Sequence, residues 1–323
     1  MPEIARILAA LDSAAGQPAA LATLVKVEGS SYRRPGARLL LLPDGARTGS
    51  ISGGCLEEDI MARTRGVLAT SQPELAVYDT TTENDLVWGV GLGCQGVVHI
   101  FIEPIPVLRP DWVASLRNNL HERRDTVLRV DYTGPAPHGT RLPGATSPGD
   151  GVFHEIIPAP PALIICGAGD DANPLANFAK ETGWHVTVAD TRAAYATAAR
   201  FPNADVIIAA PLAEIASRLR LDAHTFAVVM THRYVEDREF LRILLPRELP
   251  YVGQLGPRQR TNRLLAELNP PPTQLAILHA PVGLDLGGST PETVALAILA
   301  ELQARLAGRT PAFLRDRPGP IHG

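Results

Sequence analysis

The sequence predicts an α/β protein with an N-terminal α+β domain and a C-terminal domain built on a parallel β-sheet. Its 323 residues are enough for two domains. A Gly/Pro-rich segment interrupts the middle of the chain, and apolar runs alternate regularly with helix-length segments only after it. We therefore expect an N-terminal domain at 1–133, a linker at 134–160, a second domain at 161–309 and a tail at 310–323.

In the N-terminal part, hydrophobic periodicity predicts helices and strands that do not alternate regularly, which is typical of an α+β domain. The Asp44-Gly45 pair is a turn signal that closes the second strand. The predicted elements are helices over Pro2–Ala14 and Leu56–Leu68, strands over Ala19–Glu28, Arg38–Leu42, Leu75–Tyr78, Val97–Glu103 and Thr126–Asp131, and a helix between the last two strands.

The segment Gly134–Gly151 is interpreted as part of the linker, because nine of its eighteen residues are Gly or Pro. After it, short apolar runs predict the strands of a buried parallel sheet. These runs are 162–166, 185–190, 205–210, 226–232, 251–255 and 275–280. A last helix is predicted over Pro291–Ala307, because Ser289, Thr290 and Glu292 are start signals and Gly308 is an end signal.

Composition and charge exclude several classes of partner. The formal net charge is −4, so the chain lacks the clustered excess of cations that nucleic acid or an anionic membrane requires. The N-terminal helix carries acidic residues and resembles no signal peptide, and no stretch of the sequence has the pattern of a membrane span. Three widely spaced cysteines are an odd count and indicate reduced thiols, hence a cytoplasmic protein.

A glycine-rich motif follows the first strand of the second domain. The strand runs into Gly167-Ala168-Gly169-Asp170-Asp171 and then a helix, and the next strand ends in Asp190. Such glycines permit a tight turn, the helix N-terminus attracts a pyrophosphate, and the distant acid takes ribose hydroxyls. The pattern predicts a Rossmann-like domain with a nucleotide-like site that includes Gly167, Gly169, Asp170 and Asp190.

Several residues near this site have two interpretations. Asp170 and Asp171 place negative charge where a pyrophosphate would bind, so either the site is altered or one aspartate simply caps the helix. His232 ends a parallel strand at the edge where α/β proteins bind ligands, or it is an ordinary loop histidine. Arg258, at the start of a helix, either contacts an anionic ligand or belongs to a solvated helix face.

Two loops of the first domain have the composition of anion sites. The loop 29–36 contains Ser31, Arg33 and Arg34, and the loop 49–57 contains Gly53, Gly54, Cys55 and Glu57. Hydroxyls, guanidiniums and exposed glycine amides suit a phosphate or a polar heterocycle.

The three cysteines differ in their surroundings. Cys55 opens a predicted helix, where the dipole favours a thiolate that is a soft metal ligand or nucleophile, although a small buried residue is the alternative. Cys94 lies in a third glycine-rich stretch and could share a metal or sulfur centre with Cys55, whereas Cys166 ends a core strand. Zinc-type spacings are absent from the sequence.

Taken together, these motifs resemble the xanthine dehydrogenase accessory factor family, XdhC/CoxI. The resemblance is carried, in the family's order, by GSSYRRPGARLLL, GSISGGCLEEDI, GLGCQGVVHIFIEP, LIICGAGDDANPLA with Asp190, and the run from THRYVEDREFL through YVGQLGPRQRTNRL to APVGLDLGGSTPETVALAILAEL. It covers nearly the whole chain outside the linker and the tail. Many family members have His where this chain has Asp170, which weakens an expectation of ordinary NAD(P) binding.

The resemblance implies a cytoplasmic maturation factor, typically a homodimer. Such a factor binds molybdenum cofactor, protects it during sulfuration by a cysteine desulfurase, and inserts it into an apo-molybdoenzyme of the xanthine dehydrogenase type. The resemblance implies that the loop of Gly53, Gly54, Cys55 and Glu57 and the neighbourhood of Cys94 belong to the cofactor site. On chemical grounds, a thiolate of Cys55 or Cys94 holds the molybdenum or relays sulfur. Ser31, Arg33 and Arg34 complete the predicted site, with the two arginines on the cofactor phosphate.

The sequence favours such a carrier over an enzyme with its own turnover. The alternatives are an NAD(P)-dependent oxidoreductase and a nucleotide-binding redox regulator, the latter using Cys55 as part of its switch. Both would use the nucleotide-like site of Gly167, Gly169, Asp170, Asp190, His232 and Arg258. No pair of residues presents itself as the acid and base that hydride transfer to a carbonyl would need.

Overall fold

A computed structural model describes residues 3–54, 56–79, 96–134, 138–144 and 150–318. The chain divides into two compact units, Met1–Ala159 and Pro160–Gly323.

The first unit mixes helices with antiparallel strands, which confirms the predicted α+β class. Its elements are α1 (Glu3–Ser13), β1 (Ala19–Gly29), β2 (Arg38–Leu41), β3 (Arg47–Gly49), α2 (Glu57–Thr70), β4 (Glu74–Asp79), β5 (Gly96–Ile105), α3 (Asp111–His121), β6 (Thr126–Asp131), β7 (Gly139–Arg141) and β8 (Val152–Ile157). One sheet has the strand order β3-β2-β1-β5-β4, and a second has the order β7-β6-β8. The short strand β3 was not among the predicted elements.

Strand β1 is the centre of the first unit, because it pairs with both β2 and β5 and is buried along its first seven residues. Successive side chains of a strand point to opposite faces of a sheet. Accordingly, Ala20 and Leu24 pack in the core that includes Ile60 of α2. Leu21 instead packs in a separate core that includes Leu11 of α1 and residues of α3. The apolar run of β1 thus serves two helical layers.

The segment 134–160 contains two strands, β7 and β8, so its described residues up to Ala159 belong to the first unit rather than to a linker. Both strands pair with β6 in antiparallel register. Glu155 of β8 forms an ion pair of 2.6 Å with Arg38, whose side chain is 3% exposed. The buried Glu103 carboxylate accepts a hydrogen bond from the Thr140 backbone N–H at 2.8 Å. These contacts tie the Gly/Pro-rich segment to the sheet of order β3-β2-β1-β5-β4, the main sheet of the first unit.

The second unit confirms the Rossmann-like prediction. Its elements are β9 (Ala162–Cys166), α4 (Ala172–Glu181), β10 (His185–Asp190), β11 (Val206–Ala209), α5 (Leu212–Arg218), β12 (Thr225–Val229), α6 (Tyr234–Leu244), β13 (Tyr251–Gln254), α7 (Arg258–Leu268), α8 (Pro272–Leu275), β14 (Leu278–His279) and α9 (Pro291–Leu306). The six strands are parallel in the order β11-β10-β9-β12-β13-β14.

Helices cover both faces of this parallel sheet. Leu163 and Ile165 of β9 pack in a core with residues of α4 and α9. Ile164 and Cys166 face the opposite core, which contains residues of α5, α6 and α7. Burial raises the pKa of the Cys166 thiol, with smaller contributions from nearby aspartates. A fully buried thiol of raised pKa is inert, in line with its position at the end of a core strand.

The sequence patterns located most strands within a few residues. The run 275–280 is an exception, because α8 occupies its beginning and β14 is only Leu278–His279. None of the helices within the described ranges combines the length and apolar character that crossing a bilayer requires.

The Arg38–Glu155 pair generates the first prediction. Glu155→Ala should lower the free energy of unfolding by about 2 kcal/mol or more, because the buried guanidinium of Arg38 loses its counter-charge. Urea unfolding measures this loss. As a control, Asp12→Ala removes an exposed ion pair with Arg117 and should cost less than about 1 kcal/mol. Equal losses in the two variants would contradict the packing of β8 against the main sheet.

Candidate functional site

A cavity of about 400 Å³ in the first unit brings together parts of both predicted anion loops. It is lined by Tyr32, Arg33, Leu39, Arg47, Gly49, Ser50, Ser52, Gly53, Gly54 and Glu57. A Cβ added to Gly53 would lie 3.6 Å from the ring of Tyr32, so the two loops meet there. The Tyr32 side chain is otherwise 69% exposed. The cavity therefore has an aromatic surface, guanidiniums and hydroxyls within one small space.

The carboxylate of Glu57 organises the second loop. One oxygen accepts hydrogen bonds from the Ser50 hydroxyl at 3.0 Å and the Ser52 backbone N–H at 2.9 Å. The other accepts from the Ser52 hydroxyl and from the Gly54 backbone N–H, the latter at 3.0 Å. The Ser52 hydroxyl oxygen also accepts from the Leu56 backbone N–H at 3.1 Å. The loop is thus an anion-binding nest already filled by the protein's own carboxylate.

Glu57 is ionised at neutral pH. Its residue is 9% exposed. Burial by itself raises the pKa of this carboxyl, but hydrogen bonds from the Ser52 side chain and backbone and from Ser50 more than offset that effect, so the net pKa is lowered. The backbone N–H groups of Ser52 and Gly54 therefore already serve a resident anion.

The first loop contributes less to the cavity than expected. Arg33 lines it but forms a 2.6 Å ion pair with Glu3. Glu3 is held in place because its other oxygen accepts the Arg38 backbone N–H at 2.9 Å. Ser31 and Arg34 do not line the cavity among the described residues. Of the two predicted phosphate-binding arginines, one is thus committed to an internal partner and the other lies elsewhere.

Cys55 and Cys94, the two predicted metal ligands, lie outside the described residues. The nearest described residues in the sequence are Gly54, Leu56 and Gly96. Gly54 has a φ of 117°, in the region that favours glycine. Among the residues that the structure describes, no three His, Cys, Asp or Glu side chains form a group that could hold a metal ion.

Arg47 is a lining residue that the sequence patterns did not indicate. It is the first residue of β3, a three-residue strand that hydrophobic periodicity did not predict. A weak signal was present, since Arg47 follows the Asp44-Gly45 turn and the chain must return there beside β2. The antiparallel pairing of Arg47 with Leu41 brings it to the cavity.

In the second unit, Gly167 has the role expected of the first glycine in the motif. Its φ is 122°, and an added Cβ would lie 2.6 Å from the Met230 carbonyl oxygen, so a side chain would collide with the end of β12. Gly169 is less constrained, because an added Cβ would make an ordinary contact of 3.7 Å with His232. Gly167 thus permits close packing of two strand ends.

Asp190 is where a ribose-binding acid would be, but internal donors occupy both of its oxygens. The residue is fully buried. One oxygen accepts the Ala168 backbone N–H at 2.7 Å, and the guanidinium of Arg192 donates to both oxygens at 2.9 and 2.7 Å. Burial by itself raises the pKa of Asp190, but these hydrogen bonds have the larger effect, so the net pKa is lowered. The carboxylate is therefore ionised and committed to the loop.

The two acids at the start of α4 have internal partners. Asp170 forms a 2.7 Å ion pair with Arg200. Asp171 lies at the start of α4 without a side-chain capping hydrogen bond. It instead lies 2.9 Å from Nε2 of His232, a residue with a φ of 60°. The capping interpretation of Asp171 is therefore wrong.

Arg258 begins α7 and is exposed. Within the described ranges its guanidinium forms no ion pair or hydrogen bond, which agrees with a solvated helix face and leaves the guanidinium accessible to an anion.

Glu57 generates a prediction on stability and pH. Glu57→Gln should lower the free energy of unfolding by about 1–3 kcal/mol at pH 7, because an amide cannot accept all four hydrogen bonds. The folded-state pKa of Glu57 is lowered, so its stabilisation is present above the unfolded value of about 4.3 and is lost as pH falls through the folded value. The difference between wild type and variant should therefore shrink below about pH 4.

Urea unfolding between pH 7 and pH 3 measures this difference. The neighbouring Glu58 is exposed, so Glu58→Gln is the matched control and should be nearly neutral. An equal loss in Glu58→Gln, or a loss in Glu57→Gln that does not change with pH, would rule out the proposed role of the Glu57 carboxylate.

The Asp190–Arg192 pair generates a third prediction. Arg192→Ala should destabilise the second unit by about 1–3 kcal/mol, because a buried carboxylate loses two charge-assisted hydrogen bonds. Chemical unfolding monitored by far-UV circular dichroism measures the loss. Arg218→Ala removes an exposed pair with Glu214 and should cost no more than about 0.5 kcal/mol. A neutral Arg192→Ala would show that Asp190 does not depend on the guanidinium.

Comparison with known proteins identifies relatives along most of the chain. The family profile described as "XdhC Rossmann domain" matches residues 163–302, and that described as "XdhC and CoxI family" matches residues 13–79. A probable xanthine dehydrogenase subunit of Bacillus subtilis is 35% identical over 88% of this chain and 92% of its own length. The molybdenum cofactor insertion chaperone PaoD of Escherichia coli is 25% identical over 89% of this chain and 83% of its own.

A solved structure agrees with these matches. A crystal structure described as a xanthine dehydrogenase from Bacillus halodurans superimposes with a TM-score of 0.80 at 31% sequence identity, and the match covers 98% of each chain. The resemblance inferred from the sequence motifs is thereby confirmed, and the chain belongs to the XdhC and CoxI family.

Proposed function

We propose that this chain is a maturation factor that carries molybdenum cofactor and inserts it into an apo-molybdoenzyme of the xanthine dehydrogenase type. The observation that carries the proposal is the cavity of the first unit, formed by the glycine loop whose sequence contains Cys55 and by the loop of Tyr32 and Arg33. The similarity to a protein named as a molybdenum cofactor insertion chaperone supports the same function.

The chemistry of the cavity suits this cargo. A pterin is a flat polar heterocycle, and the exposed ring of Tyr32 offers a surface for stacking. Molybdenum held by a dithiolene is a sulfur-loving centre, for which a cysteine thiolate is the matching protein ligand. We assign that role to Cys55 and Cys94 on their residue type and position in the sequence. Of the arginines at the cavity, Arg33 is paired with Glu3, whereas the guanidinium of Arg47 suits the phosphate of the cofactor.

Glu57 supports the site without contacting the cargo in this proposal. Two of its four hydrogen bonds come from the backbone N–H groups of Ser52 and Gly54, which precede Cys55 in the chain. A loop fixed in this way loses less conformational freedom when the cargo binds.

The partners follow from the same proposal. A carrier that protects the cofactor during sulfuration needs a cysteine desulfurase as sulfur donor and the apo-molybdoenzyme as acceptor. We further propose that it acts in the cytoplasm, in agreement with the reduced thiols expected from its cysteine count. A homodimer is proposed on the family resemblance.

The geometry does not favour the alternative of an NAD(P)-dependent oxidoreductase. That function needs an acid at the end of β10 that is available to ribose hydroxyls, whereas both oxygens of Asp190 accept hydrogen bonds from the protein itself. Asp170 and Asp171 add negative charge at the start of α4, where a pyrophosphate would lie.

The test is cofactor content. The protein is purified anaerobically from a host that makes molybdenum cofactor, its pterin is released by acidic oxidation, and fluorescence and molybdenum are quantified per chain. Wild type should hold nearly one pterin and one molybdenum per chain. Cys55→Ala and Cys94→Ala should each lower the molybdenum content at least about tenfold, because a soft metal loses a thiolate ligand.

Cys166→Ala is the control, since this thiol is fully buried in the parallel sheet of the second unit. It should retain the wild-type cofactor content. Full content in both Cys55→Ala and Cys94→Ala would overturn the assignment of thiolate ligands. A wild-type protein without pterin or molybdenum, even after incubation with free cofactor, would overturn the carrier function itself.

A further inference from the structure

We infer that Arg47 and Arg65, rather than Arg33 and Arg34, recognise the phosphate group of the cargo. The inference rests on the proposed function, because it assigns one part of the same ligand to specific side chains. Both arginines line a second cavity of the first unit, of about 530 Å³, together with Gly45, Glu57, Glu58 and Met61.

The second cavity adjoins the first. Arg47 and Glu57 line both of them, so one ligand can extend from the aromatic surface at Tyr32 past Arg47 to Arg65. A pterin that carries a phosphate on a short side chain has this two-part character. Each cavity, of about 400 and 530 Å³, is by itself in the range of small-molecule sites, which are about 300–1,000 Å³.

Local structure explains why these two arginines meet. Arg65 lies on α2, where Glu58, Met61 and Arg65 are spaced by three and four residues and so share one face of the helix. Arg47 begins β3, which pairs with β2 at the edge of the main sheet. The cavity lies between this helix face and the edge strand.

The guanidiniums of Arg47 and Arg65 have no internal partner, in contrast to those of neighbouring arginines. Within the part of the chain that the structure describes, neither forms an ion pair or a side-chain hydrogen bond, and both residues are exposed. Arg33 is paired with Glu3. Arg63, also on α2, is paired with Asp59 at 2.7 Å and with Glu74. An incoming anion can bind Arg47 and Arg65 without breaking an existing ion pair.

Two carboxylates also line this cavity, and they differ in what they require. Each oxygen of Glu57 already accepts two hydrogen bonds from the loop, so Glu57 does not need an arginine. Glu58 is exposed and is the carboxylate that competes with a ligand for the guanidiniums. A phosphate monoester carries nearly two negative charges and binds guanidiniums through paired N–H donors, so it should displace a single flexible carboxylate.

The test compares two stable forms of the pterin. The fluorescent pterin monophosphate released by acidic oxidation is titrated into the full chain before and after phosphatase treatment. Wild type should bind the phosphorylated form at least about tenfold more tightly. Arg47→Gln and Arg65→Gln should reduce this preference to about threefold or less, while the affinity for the dephosphorylated form stays unchanged.

Two controls make the result specific. Arg124→Gln removes an exposed arginine of the same unit that lines neither cavity and should keep the wild-type preference. Arg33→Gln should also keep it. If Arg47→Gln and Arg65→Gln keep the preference, or if Arg33→Gln loses it, the inference is overturned and the carrier function is unaffected.

A second measurement separates the inference from the function. Inorganic pyrophosphate is titrated into the apo-protein while its thermal unfolding is followed. A rise in Tm that both Arg47→Gln and Arg65→Gln abolish supports the anion site. This holds even if wild type binds neither form of the pterin, because failure to bind pterin counts against the carrier function and not against the anion site. No rise in wild type, or an equal rise in the variants, overturns the site.

Discussion

The loop of the candidate site depends on one buried carboxylate, that of Glu57. Its two oxygens accept hydrogen bonds from the hydroxyls of Ser50 and Ser52 and from the backbone N–H groups of Ser52 and Gly54. Because hydrogen bonds to the charged form outweigh the cost of burial, the negative charge is kept inside the loop. Four donors that would otherwise compete for solvent are satisfied by a single side chain.

The second unit uses the same physical device at its own glycine loop. Asp190 accepts the Ala168 backbone N–H and the guanidinium of Arg192, so a carboxylate of the chain occupies the donors where a nucleotide would bind. In each unit a loop that has the composition of an anion site contains an anion of the protein. Because these carboxylates already satisfy backbone donors of the loops, side chains rather than those N–H groups are left to recognise a ligand.

The ion pairs that the arginines already form within the protein then decide where an external anion can bind. Arg38 is buried against Glu155, Arg192 is held by Asp190, and Arg33 is paired with Glu3. Breaking any of these pairs would leave a carboxylate without its partner, at a cost that grows with burial. An exposed guanidinium without such a partner, as at Arg47, has no comparable cost and is the better candidate for recognition.

The sequence by itself determined the elements with strong periodicity and the family. The apolar runs of β1, β9, β10 and β12 are local signals, since burial on both faces of a sheet leaves a direct pattern in the residues. The order of the motifs can also be read directly from the sequence, and it was sufficient to identify the XdhC and CoxI family.

The tertiary structure decided everything that depends on partners distant in the chain. The strands β7 and β8 are short, lie in a Gly/Pro-rich stretch, and are stabilised by pairing with β6 and by the contact of Glu155 with Arg38, 117 residues away. Asp190 and Arg192 are close in the sequence, but the hydrogen bonds between them depend on how the loop turns. Residue type predicts that a carboxylate or a guanidinium can bind an ion, whereas folding decides whether an internal partner has already taken its place.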